Sequence, residues 1–110
     1  MNAADVLDKA ADVIERDGWC RHEYHDPEGR HCTVGAIEAA VIQEGHFPIS
    51  ETIDEAEDSL DRWLGQSVAA WNDDIARDVR EVITSLRECA ASLRSQDQPV
   101  SAASAAAPNS

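Results

Sequence analysis

Basic residues are scarce in this sequence: nine Lys and Arg stand against 22 Asp and Glu, for a formal net charge of −13. A surface of that sign repels the phosphate backbone and anionic lipid headgroups, so neither direct nucleic-acid binding nor membrane binding is expected. Long apolar runs are missing too. None approaches the roughly 18–20 residues needed to cross a bilayer, and Asp5 and Asp8 stand where a secretory leader would be basic and then apolar. The expected location is the cytoplasm. Cysteines number three, an odd count that favours reduced thiols over a disulfide framework. Large apolar side chains are few, with one Phe, one Met and one Tyr. Trp19, Trp63 and Trp71 are therefore the expected anchors of a single modest core, which is what 110 residues can support.

What is present is a helical pattern. Val6, Leu7, Ala10, Val13 and Ile14 recur at spacings of three and four, one face of an amphipathic helix that Gly18 ends. Asp26-Pro27-Glu28-Gly29 is a turn signal, and it predicts a short β-hairpin between the first two helices. If His25 pairs with Arg30, Trp19, Cys32 and Val34 face the core. Val34 to Glu44 reads as a second helix, whose Gly35 and Ala36 permit another backbone to come close. After a loop over residues 46–49, Ser50 or Thr52 can cap a third helix, Thr52 with Glu55 fitting a capping box, with Ile53, Ala56, Leu60, Trp63 and Leu64 inward. A short turn at Ser67 to Trp71 precedes Asn72-Asp73-Asp74, where Asn ends one helix and Asp caps the next. Ile75, Val79, Val82, Ile83, Leu86, Ala90 and Leu93 mark the last and longest helix. The predicted fold is a mainly α domain of four to five helices over residues 1–94, followed by a disordered Ser/Ala/Pro-rich tail over 95–110.

The order of these signals resembles a family of small proteins of unknown function found in actinobacteria and their phages. The residues that carry the likeness are Gly18-Trp19-Cys20, Asp26 with Gly29-Arg30, Cys32-Thr33-Val34-Gly35-Ala36-Ile37, and Trp71-Asn72-Asp73 followed by Arg77, Glu81 and Val82. The chain departs from the pattern at Asp74-Ile75-Ala76, where Pro-Gly would precede the Arg. The resemblance implies a fold and a source, but no activity.

Three groups of residues are candidate sites. Five soft ligands lie between Cys20 and Cys32, and Cys20, His22 and His31 are the best metal set. No Cys-x-x-Cys pair is present among them, so exposed histidines beside a buried Cys32 are expected instead, with no cofactor. Cys32 precedes a helix start, where backbone N–H groups lower a thiol's pKa and His31 or His25 can act as base. This is the enzymatic alternative, and a zinc-stabilised binding module is another. Trp19, Cys32, Gly35, Trp63, Trp71 and Asn72 are read as structural. The third group is electrostatic: Glu51, Asp54, Glu55, Asp58 and Asp61 fall on one helical face, with no Lys or Arg between Arg30 and Arg62. The leading expectation is a non-enzymatic interaction protein that meets a basic protein partner through this face.

Overall fold

Helix α1 (Ala3–Asp17) is the element on which the others pack. Asn2 caps it: the Asn2 side chain accepts from the Asp5 N–H at 2.9 Å while the Asp5 carboxylate reaches back to the Asn2 N–H. Val6, Leu7, Ala10, Val13 and Ile14 are all buried on one stripe. Gly18 stops the helix at a φ of +98°, and the Arg30 side chain lies against it so closely that a Cβ there would stand 2.8 Å from Arg30 Cγ.

The computed structural model describes residues 1–45 and 47–97. After α1 come α2 (Thr33–Glu44), α3 (Ile49–Leu64), α4 (Val68–Asp73) and α5 (Val79–Asp97). The chain is mainly helical: α1 packs against α2 and α5, α3 packs against α1, α2 and α5, and α4 packs against α2 and α3. Ile37 and Val41 of α2, Ala56 and Leu60 of α3, Val68 and Trp71 of α4, and Val82, Leu86 and Ala90 of α5 fill the core.

Four expectations are corrected. The β-hairpin does not form; among the described residues there are only isolated bridges, Trp19 with His31 and His25 with His31. Residues 21–24 cannot run as a strand because His22 takes a left-handed φ of +71°, which turns the chain. Helix α3 opens at Ile49 rather than at Thr52, whose hydroxyl donates backward to the Pro48 carbonyl at 2.6 Å instead of capping. Trp63 is not a core anchor: it sits at the flank of the α3 stripe and is 40 % exposed. The last helix opens at Val79, because Asp74 closes a turn by accepting from the Ala76 N–H and Asp78 accepts from the Glu81 N–H. Ile75, counted in the apolar stripe, is left 93 % exposed by that turn. Helix α5 runs to Asp97, and residues 98–110, where most of the predicted tail falls, lie outside the described residues.

The contrast between two neighbours in sequence tests this packing. Trp71→Ala removes a buried ring and should cost about 3–5 kcal/mol in denaturant unfolding, whereas Ile75→Ala should stay within about 0.5 kcal/mol. Equal losses at the two positions would contradict the placement of the α4–α5 turn.

Candidate functional site

The loop between α1 and α2 folds onto α4, and Asn72 is the residue it folds around. The Asn72 side chain is fully buried. Its Oδ1 accepts from Trp19 Nε1 at 2.7 Å, from the Thr33 N–H at 2.8 Å and from the Thr33 hydroxyl at 2.5 Å. Its Nδ2 donates to the Cys20 carbonyl at 3.2 Å and to Asp73 Oδ1 at 3.1 Å. One amide thus uses both donors and its acceptor to tie the start of the loop, the start of α2 and the end of α4 together. Sequence reasoning assigns Asn72 to ending a helix and misses this, since apart from Asp73 the amide's partners lie 39 to 53 positions away.

Two arginines brace the same junction. Arg21 lies 4.5 Å from the Trp19 ring and donates to the carbonyls of Asp74, Ile75 and Arg77. Arg77 lies 4.4 Å from the Trp71 ring, donates to the Trp71 carbonyl at 2.9 Å and pairs with Glu81. On the far side, Asp26 organises the turn by accepting from the backbone N–H groups of Glu28 and Arg30 and from Arg30 Nε at 2.6 Å. Asp26 pairs with Arg30 across that turn, so His25 faces His31, one position from the predicted register. The Tyr24 carbonyl then accepts from the Cys32 N–H at 3.1 Å and comes to rest on Gly35, where a Cβ would stand 2.0 Å from it.

Between the loop and α4 lies a cleft of about 330 Å³ lined by His22, Glu23, Tyr24, Cys32, Ala69, Asn72 and Asp73. Cys32 caps α2, its Sγ accepting from the Gly35 N–H at 3.3 Å, and it is buried. Burial pushes the thiol up, and the Gly35 and Val34 N–H groups pull it down less than burial raises it, so a protonated thiol faces the cleft at neutral pH. The histidine that shares the cleft with Cys32 is His22, whose Nδ1 lies 3.4 Å from Asp73 Oδ2. His31 and His25 are turned to other partners. His31 Nε2 meets Asp17 at 2.8 Å, the two Nδ1 atoms meet at 2.7 Å, and His25 Nε2 lies 3.5 Å from Glu38.

The metal set does not converge. Cys20 directs its thiol at the Glu23 and Arg30 carbonyls, and burial raises its pKa to about 11, while His22 faces Asp73 and His31 faces Asp17. Of the acidic row, Glu51, Asp54, Glu55 and Asp58 are exposed on α3, but Asp61 is partly buried and accepts from the Val68 N–H at 2.8 Å, holding the start of α4. That fifth carboxylate has a structural partner that helical spacing does not reveal.

The chain belongs to a family of unknown function (DUF6197), which matches residues 1–92. No curated protein and no solved structure matches it.

The close approach at Gly35 yields a direct test of the loop's seat on α2. Gly35→Ala should cost about 1–3 kcal/mol, the range of an overpacked core site, because the atom in the way is a backbone carbonyl rather than a flexible side chain. A stabilised Gly35→Ala protein, as helix propensity alone would give, would contradict the seat.

Proposed function

We propose that this protein is a non-enzymatic interaction module that acts in the cytoplasm and engages a basic host or regulatory protein through the exposed face of α3. The observation that supports this is how the two acidic helices differ. On α1, Asp5, Asp8, Asp12 and Glu15 are each ion-paired with Arg87 or Arg94 of α5. On α3, Glu51, Asp54, Glu55 and Asp58 have no ion-pair partner among the described residues. Glu57 beside them is held above the ordinary glutamate value by burial and by Asp61, Asp54, Asp58 and Glu38. A self-repelling row of this kind works against the fold, and cations on a partner would relieve it. The resemblance through Gly18-Trp19-Cys20 and Trp71-Asn72-Asp73 extends the reading to an actinobacterial or phage-encoded protein.

The cysteine-enzyme reading ranks second. The cleft does gather Cys32, His22 and Asp73, yet the thiol is buried and protonated and is served by neither His31 nor His25. Such a thiol is a packing group more readily than a nucleophile.

The acidic-face reading is tested on a partner captured at low salt and then purified. The quadruple variant E51Q/D54N/E55Q/D58N, which spares Asp61, should be at least as stable as the wild type and associate at least about tenfold more slowly at low salt. It should also lose most of the wild-type salt dependence. Unchanged association kinetics and salt dependence would reduce the stripe to a solvated surface.

A further inference from the structure

We propose that His25 and His31 form a single-proton clamp that keeps the loop over residues 18–32 closed on α1 and α2 and releases it when a second proton binds. The geometry is a chain of four side chains: Asp17 of α1, His31, His25 and Glu38 of α2, with separations of 2.8, 2.7 and 3.5 Å. The two rings meet edge to face, 5.0 Å apart at 86°.

Counting protons along this chain fixes its states. Asp17 is a carboxylate, held well below the ordinary value by hydrogen bonds first from Arg16 and then from His31. It can only accept, so His31 Nε2 donates to it. In a neutral His31 the Nδ1 is then a bare acceptor, and the contact between the two Nδ1 atoms requires His25 Nδ1 to be the donor. A neutral His25 would leave its Nε2 lone pair facing the Glu38 carboxylate. One added proton at that nitrogen removes the mismatch: a His25 imidazolium donates through Nδ1 to His31 and through Nε2 to Glu38. A second added proton must go to His31 Nδ1, and it sets two N–H groups head to head where 2.7 Å separates the nitrogens. The rings then part.

Other charges near the pair modulate these steps without replacing them. Arg16 pairs with Asp17 on α1, Arg30 and Asp26 lie across the turn, and Glu57 of α3 faces Glu38. The loop is sensitive to the pair because His31 is bonded on both sides, its N–H to the Gly18 carbonyl and its carbonyl to the Cys20 N–H. His22, Glu23 and Tyr24 of the cleft ride on the same loop, so release of the clamp also opens one wall of the cleft.

The test is an NMR titration of the full-length protein from about pH 9 to about pH 4.5, following the imidazole nitrogens together with exchange protection of the Cys20, His31 and Cys32 amides. Two coupled macroscopic steps shared by the pair are expected, in place of one independent step for each ring. His31 Nε2 should stay protonated throughout, and amide protection should fall at least about tenfold through the lower step only. His25→Ala, at a position whose side chain is about half exposed, should collapse the titration of His31 to one step. Asp17 cannot mimic the result. Its folded-state value is depressed, so its contribution is complete above the ordinary 3.8 and is lost only as pH falls below that. A single ordinary step for each ring, or amide protection that does not change across the lower step, would overturn the clamp.

Discussion

The buried amide of Asn72 is the interaction the rest of this structure depends on. The loop after α1 has no strand to complete and little apolar surface of its own, so hydrophobic burial cannot fix its path. Asn72 fixes it with four hydrogen bonds, and each group it serves (Trp19 Nε1, the Thr33 N–H and hydroxyl, the Cys20 carbonyl) would otherwise be left wanting a partner on folding. An unmet buried donor costs about 1–3 kcal/mol, so a placement of the loop that left these groups unpaired would be penalised. The Arg21 and Arg77 stacks, the His22 turn and the seat of Tyr24 on Gly35 follow from that placement.

Charge is arranged with a comparable division of labour. Four of the nine basic residues hold elements together, Arg87 and Arg94 joining α5 to α1, and Arg21 and Arg77 bracing the turn after α4. The outer face of α3 receives none of them up to Arg62. Its negative charge therefore does not serve the fold, which is why the proposed partner surface is placed there.

The helices were legible in the sequence because apolar spacing reports burial directly, and Val6 to Ile14 and Val82 to Ala90 are buried as that spacing predicts. Turn chemistry was harder to read. Asp26-Pro27-Glu28-Gly29 does turn, but a turn signal does not say whether the flanking residues pair as strands, and a left-handed His22 carries no sequence signature. Thr52 looked like a cap because Thr and Glu three apart fit one, although a hydroxyl can equally donate backward within a helix. Ile75 looked like core because periodicity cannot see the Asp74 turn that throws it into solvent. At the candidate site, Trp19, Cys32 and Trp71-Asn72 stood out by composition. Their geometry, the meeting of Asp17 with His31 and the sharing of one cleft by Cys32 and His22, depends on contacts between distant segments and lies beyond local pattern.

A double-mutant cycle between Asn72 and Trp19 tests the central claim most directly, with unfolding free energies measured for wild type, Asn72→Ala, Trp19→Phe and the double variant. The account predicts that Asn72→Ala alone costs more than about 3 kcal/mol, since several buried donors lose their acceptor. It also predicts that Trp19→Phe costs clearly less in the Asn72→Ala background than in wild type, a coupling above about 0.5 kcal/mol. An Asn72→Ala protein that unfolds like wild type, or strictly additive losses, would contradict it.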